Sequence, residues 1–220
     1  MKYLKTLGFS AFILKIAVWL VISNAITIFA TDQVQTDTPR FDHLKSQFEQ
    51  EKIFFARFSH EYNDTFTGEQ QLTDGSIWVG KERYKMSSGN NLMVVDNEVS
   101  RLYDHSKNRV IISDYIEEED DFAPSRMLQG VDETFTVSET ELQDGRTLIL
   151  LSSEDPFSIF TQVSITLDVN GIPLTIEAID QVGNQLITRF NQGIFMNEEI
   201  EIFDFTYPED AEFIDLRHDI

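Results

Sequence analysis

The stretch GSIWVGKERYKM, residues 75–86, decides the fold class. Ile77 and Val79 alternate with Trp78 and Gly80, and alternation with a period of two is typical of a β-strand. Ile77 and Val79 point to one face and Trp78 to the other, so both faces carry bulky apolar groups. A half-solvated antiparallel strand is apolar on one face only. The pattern predicts a strand covered on both sides, with a helix or an apolar ligand as the second cover.

Short alternating segments of the same kind follow one another along most of the chain. Turn pairs such as Asn170-Gly171 separate many of them, as expected for hairpins. The segments are 54–58, 71–81, 83–88, 91–95, 99–104, 109–115, 134–140, 147–152, 163–169, 174–179, 185–190 and 202–207. Eleven segments thus follow the first one, and a set of about eleven strands predicts a large antiparallel sheet. A sheet of that size closes on itself or wraps around something.

Two helices are predicted beside the strands. Thr38 as N-cap and Pro39 at the first helical position start a helix that ends near Lys52. Its apolar stripe consists of Phe41, Leu44 and Phe48. A shorter helix starts at Pro124 and points Met127 and Leu128 inward.

Composition excludes several classes of function. The chain of 220 residues has 38 acidic and 17 basic residues, a net charge of −21, which argues against nucleic-acid binding. With no Cys it has no disulfide, thiolate metal site, cysteine nucleophile or lipid-modified cysteine. The four His lack metal-ligand spacing, and the acidic run 117–121 lacks the pattern of a calcium loop. We therefore predict no catalytic residue, no metal, no cofactor and no enzyme activity.

The first thirty residues form a separate segment. Lys2 and Lys5 precede an apolar run, broken once by Lys15, that ends in Ala30 before a polar stretch. This is the pattern of a secretory signal peptide, with cleavage after Ala30 or, as second choice, Ala25. The alternative is a transmembrane anchor that tolerates Lys15. The predicted organisation is a signal peptide over 1–30, a polar tether over 31–40 and one domain over 41–220, exported as a monomer.

An ordered set of short motifs resembles the LolA family, the periplasmic carriers of outer-membrane lipoproteins. The motifs are FFARF at 54–58, GSIWV at 75–79, RYKM at 83–86, VVDN at 94–97 with LYD at 102–104, PSRML at 124–128, DVNGIP at 168–173 and FDFTYPE at 203–209. The resemblance covers about residues 41–214. No motif is specific alone, and the order of the set carries the resemblance.

The resemblance implies an incomplete antiparallel β-barrel with helices as a lid over an apolar cavity. It also implies a periplasmic carrier that receives acylated lipoproteins from an inner-membrane releasing ABC transporter complex. The carrier would deliver them to an outer-membrane acceptor or to the outer membrane itself. Two alternatives stay open: a carrier of another lipid, and a lipoprotein-sensing regulatory protein of the same fold.

The resemblance also implies site residues. Those expected to line the cavity or contact the lid are Phe54, Phe58, Trp78, Tyr84, Met86, Met127 and Leu128. The family often holds its lid with a basic residue, commonly Arg, soon after the conserved Trp. Lys81 is the nearest match here, with Arg83 as the second choice for lid control. Lys cannot form the forked contacts of Arg.

Overall fold

Twelve strands in one sheet and two short helices make up the described part of the chain. The computed structural model describes residues 37–96, 98–116, 124–129, 134–197, 199 and 201–217. The elements are α1 (Pro39–Glu49), β1 (Lys52–Asn63), β2 (Gln70–Val79), β3 (Tyr84–Ser88), β4 (Asn91–Val95), β5 (Val99–Asp104), β6 (Arg109–Asp114), α2 (Pro124–Gln129), β7 (Thr136–Glu141), β8 (Thr147–Ser152), β9 (Phe160–Leu167), β10 (Pro173–Asp180), β11 (Gln185–Asn197) and β12 (Glu212–Asp215). The predicted signal peptide, most of the tether and the acidic run 117–121 lie outside the described residues.

The strand order is β12-β6-β5-β4-β3-β2-β1-β11-β10-β9-β8-β7, so the sheet is open and mainly antiparallel. From β1 the chain runs outward through β2–β6 to one edge, resumes with β7 at the opposite edge and returns inward through β8–β10 to β11, which pairs with β1. Three details differ from the sequence prediction. The described sheet has twelve strands instead of eleven, and β12 pairs with β6 in parallel. Residues 202–207, predicted as the last strand, form a turn and an extended segment, and Glu212–Asp215 takes that place at the edge.

Alternation along β1 defines two faces of the sheet. Phe54, Ala56 and Phe58 lie on what we call the inner face, together with Ile77 and Val79 of β2. Phe55 lies on the outer face, and its ring contacts that of Trp78 at a centroid distance of 5.1 Å. The two-sided apolar pattern at 75–86 therefore reflects a sheet that is covered on both faces.

The helices cover the inner face. Phe41, Leu44 and Phe48 of α1 are buried in the same cluster as the β1 phenylalanines, which confirms the predicted stripe. Met127 and Leu128 of α2 join this cluster, as predicted. The first helix ends at Glu49, earlier than the predicted Lys52, because Glu51 adopts a left-handed backbone with φ 58°. None of the described helices is both long and apolar enough to cross a bilayer.

A bulge in β11 makes room for the inner-face aromatics. The register between β1 and β11 shifts between Phe55 and Arg57, where Gln192 has φ 57°. At the neighbouring Gly193, a Cβ atom would lie 3.0 Å from the Phe54 ring and 2.9 Å from Ile172. Glycine at this position therefore lets the Phe54 ring lie against the strand.

Candidate functional site

An apolar cluster on the inner face is the candidate site. Beyond the residues of β1, β2 and the helices, it takes in side chains from the other half of the sheet: Ile149, Leu151, Phe160, Val163, Ile165, Leu167, Ile176, Ala178, Leu186 and Phe190. Leu44, Phe48, Phe54 and Leu128 are each 0% exposed, so no water-sized space adjoins them. At these four side chains the helices lie directly against the sheet, and the expected cavity is not seen there.

Aromatic contacts join α1 to the sheet. The Phe48 ring meets the Phe195 ring edge-on, with centroids 5.5 Å apart. Phe195 lies beside Phe54 at 5.3 Å, and Phe54 meets Phe190 edge-on at 5.2 Å. Such pairs add about 0.5–1.5 kcal/mol each beyond area burial. They form a continuous aromatic row from the helix to the β1–β11 pair.

A small set of polar contacts tethers the helices. Thr38 makes no side-chain cap, and Glu139 of β7 acts instead: its Oε2 accepts hydrogen bonds from the backbone N–H of Arg40 (2.9 Å) and Phe41 (3.1 Å). At α2, the Gln129 side-chain amide donates to the backbone carbonyl of Lys81 at 2.8 Å. Packing of apolar groups, which has no direction, thus dominates the attachment of both helices.

Residues 202–205, which we call the outer strap, cross the opposite face. Phe203 is buried with Ile53 and Val94, and Trp78 packs against this group. The Lys85 ammonium donates to the carbonyls of Ile202 (3.0 Å) and Asp204 (3.1 Å). Burial lowers the pKa of Lys85 below its ordinary value, and the carboxylate of Asp204 opposes this effect.

The structure divides the predicted site residues between the two faces. Phe54, Phe58, Met127 and Leu128 lie in the inner-face cluster, and Met86 packs against it. Tyr84 is buried and stands opposite Val79 in register, on the inner face.

Trp78 requires a correction, because strand alternation puts it on the outer face, beneath the strap. It therefore does not line the space under the helices. The two basic residues predicted to control the lid also differ from expectation. The Lys81 side chain is exposed, and the contact with α2 uses its backbone carbonyl. The Arg83 guanidinium lies over the Phe203 ring at 4.4 Å, so it contacts the outer strap and not the helices.

The contacts of Lys85 and Glu139 were not predicted from the sequence, for different reasons. Lys85 is two residues from Arg83, and its alternation with Tyr84 already puts the two side chains on opposite faces. That the face of Lys85 is also that of Trp78 follows only from the β2–β3 register. The Glu139 contact joins residues 98 and 99 positions apart, and no local pattern announces it.

Polar chemistry on the inner face is sparse. His60 bonds through Nδ1 to the Thr188 hydroxyl at 2.8 Å, and burial lowers the pKa of this imidazole. Among the residues that the structure describes, no group of three or more His, Asp or Glu could hold a metal ion. The inner face therefore offers an apolar contact surface.

No protein-family model and no curated protein matches the sequence. Solved structures do match. One is an uncharacterized conserved protein from Thermus thermophilus, with 13% identity, a TM-score of 0.49 and coverage of 79% of this chain and 98% of that one. Another is a putative outer membrane lipoprotein-sorting protein domain from Vibrio parahaemolyticus, at 11% identity, TM-score 0.41 and coverage of 76% and 95%.

A third match is a LolA superfamily protein from Nitrosomonas europaea, at 8% identity, TM-score 0.38 and coverage of 74% and 97%. The structural neighbours include the LolA superfamily.

Proposed function

We propose that this protein is a non-enzymatic periplasmic carrier that binds the acyl chains of lipoproteins on the inner face. The observation that carries the proposal is the cover of α1 and α2, whose apolar side chains occupy the inner face with few directional contacts. An acyl chain offers the same kind of contact and can take their place. Delivery to the periplasm would use the cleaved signal peptide predicted for residues 1–30.

Burial of the helix side chains and burial of an acyl chain on the inner face contribute free energies of similar size. Burial of a large apolar side chain contributes about 1.5–3 kcal/mol, so Phe41, Leu44, Phe48, Met127 and Leu128 together contribute about 8–15 kcal/mol. At about 0.8 kcal/mol per CH₂, one sixteen-carbon chain gains about 13 kcal/mol on leaving water. Counted for a single acyl chain, the exchange with the helices is therefore close to balanced, which suits a carrier that must both load and release without ATP.

The proposed partners follow from this cycle. Loading from an inner-membrane ABC transporter complex and release to an outer-membrane acceptor, or to the membrane itself, would move cargo between two apolar environments. Because the inner face makes few polar contacts, it also suits the chains of other lipids, and a carrier of another lipid is the second candidate.

Mass spectrometry of the protein purified from the periplasm without detergent tests the proposal. We expect a bound acylated polypeptide, released by organic solvent. A stoichiometric phospholipid, glycolipid or pigment in its place would contradict lipoprotein carriage and favour the second candidate.

A charge placed beneath α2 tests the site. Leu128→Asp puts a carboxylate in an apolar contact at a cost of several kcal/mol, so lipoprotein release from inner-membrane vesicles should fall. Leu72→Asp is the matched control, because Leu72 is 79% exposed. Circular dichroism establishes that both variants fold. Equal release by the folded Leu128→Asp variant and the wild type would remove α2 from the site.

A further inference from the structure

One end of the sheet presents apolar side chains to solvent on three neighbouring loops. These are the β1–β2 loop (64–69), the β8–β9 loop (153–159) and the β10–β11 turn (181–184), together called the loop end. Phe66 is 97% exposed, Phe157 92% and Val182 77%. The helices attach at the opposite end of the sheet, where β1 begins and β2 ends, so the loop end lies away from the helix contacts described above. Phe160 and Leu186 belong both to the inner-face cluster and to this end of the sheet.

The three exposed side chains share one backbone arrangement. Each exposed apolar residue stands two positions after an aspartate. Its backbone N–H donates a hydrogen bond to the Oδ1 atom of that aspartate. The pairs are Asp64 with Phe66 (2.9 Å), Asp155 with Phe157 (2.9 Å) and Asp180 with Val182 (2.9 Å). Each turn therefore fixes its apolar residue in an outward position.

Hydrogen bonds also join the three loops to one another. The N–H of Thr65 donates to the Asn184 side-chain oxygen at 3.0 Å, which links the first loop to the third. The Gln181 amide donates to the carbonyls of Asp155 (3.1 Å) and Ser158 (2.9 Å), which links the third loop to the second. The exposed side chains thus stand on one connected platform.

An apolar cavity of about 280 Å³ opens at this platform. Its lining consists of Tyr62, Ile159, Phe160, Val182 and Leu186, with Asp180 and Gln181 at the turn. Hydrogen bonds within the platform already engage the side chains of Asp180 and Gln181. The lining that remains for an occupant is apolar, and the volume suits one large side chain.

The platform is strongly acidic. Asp64, Glu69, Glu154, Asp155 and Asp180 lie in or next to the three loops, which contain no Lys, Arg or His. The N–H groups of Thr67 and Phe66 lower the pKa of Asp64, so this carboxylate keeps its charge. Such a surface repels an anionic phospholipid bilayer and attracts a cationic polypeptide.

We propose that the loop end docks a cationic segment of a partner protein, whose apolar anchor side chain enters the 280 Å³ cavity. Val182 lines the cavity that holds the anchor, the exposed Phe66 and Phe157 on the neighbouring loops contact the segment beside it, and the carboxylates meet its basic residues. Carrier activity on the inner face is not required for this docking.

Calorimetric titration with two synthetic peptides tests the proposal. Gly-Lys-Lys-Phe-Lys-Lys-Gly carries charge and anchor, and Gly-Lys-Lys-Ser-Lys-Lys-Gly carries the charge alone. We expect the Phe peptide to bind about tenfold tighter, with hydrogen-exchange protection confined to the three loops. Equal affinity for both peptides, or protection elsewhere, would overturn the proposal.

Variants of the loop end test whether its exposed apolar residues cause the preference for the Phe peptide. The triple variant Phe66→Ser, Phe157→Ser and Val182→Ser should lose the preference for the Phe peptide. The control triple Val169→Ser, Phe213→Ser and Leu216→Ser removes apolar residues that are also more than half exposed, outside the loops, and should keep it. Glu69→Gln with Glu154→Gln should weaken both peptides. Retention of the preference in the first triple variant would contradict the docking surface.

Binding to lipid vesicles tests whether the loop end contacts a membrane instead of a polypeptide. Wild type should not sediment with vesicles of phosphatidylethanolamine and phosphatidylglycerol. Sedimentation that the first triple variant abolishes would assign the loop end to a lipid surface and overturn the proposal. The peptides carry no acyl chain, so either result leaves the carrier function to its own test.

Discussion

Lys81 and Lys85 flank the same turn and make different kinds of contact. Lys85→Met keeps the apolar stem over Trp78 but removes the donor to the carbonyls of Ile202 and Asp204. We expect a loss of about 1 kcal/mol in the free energy of unfolding, since these carbonyls are partly within reach of water. Lys81→Leu should change it by less than about 0.5 kcal/mol, because the Lys81 side chain is exposed. Urea unfolding measures both variants.

The comparison also separates the outer strap from the lid. Proteolysis near residue 204 should accelerate in Lys85→Met and stay unchanged in Lys81→Leu. A larger loss of stability in Lys81→Leu than in Lys85→Met would contradict the assignment of the carbonyl contacts to Lys85.

His60 should make stability depend on pH. Burial lowers its pKa in the folded protein below the ordinary 6.5, so the unfolded chain binds the proton more readily. The stabilising contribution is present above about pH 6.5 and is lost as the pH falls through the folded-state pKa. His60→Gln retains a polar partner for Thr188 and cannot titrate. As the pH falls from 7.5 through that window, the melting temperature of the wild type should fall more than that of His60→Gln. An equal fall in both proteins would exclude His60 as the source of the pH dependence.

At the scale of elements, Glu139 should control how firmly α1 lies on the sheet. Glu139→Ala removes the acceptor for two N–H groups at the helix N-terminus, where a negative charge is also favourable. We expect a loss of about 1 kcal/mol and faster amide exchange over residues 39–49. Glu141→Ala, an exposed glutamate on the same strand, is the control. Equal exchange in the two variants would show that Glu139 does not tether the helix.

The strands could be predicted where alternation and turn chemistry agree. Asn170-Gly171 marks the β9–β10 turn, and Gly171 has φ 85°, a conformation that glycine adopts easily. The final strand could not be predicted, because alternation and strand pairing disagree there. Residues 212–215 are short, mostly exposed and paired only along β6, whereas 202–207 alternate like a strand but bury Phe203 against the outer face.

At the scale of the whole molecule, the sequence could predict which side chains share a face but not what covers it. Alternation assigns Phe54 and Phe58 to one face and Trp78 to the other. That α1 and α2 cover the first face and the outer strap the second depends on contacts between residues far apart in the chain. The resemblance to the LolA family placed Trp78 under the lid, and the register of β1 with β2 corrects this.

Hydrogen–deuterium exchange with and without a cargo analogue tests the carrier account most directly. The analogue is a triacylated Cys-Ser-Ser-Asn peptide, uncharged in its side chains, and the same peptide without acyl chains is the control. If acyl chains replace the helix side chains on the inner face, exchange over 39–49 and 124–129 should rise with the acylated peptide only, while β1 and β11 stay protected. Binding of the acylated peptide with unchanged exchange in both helices would contradict the account.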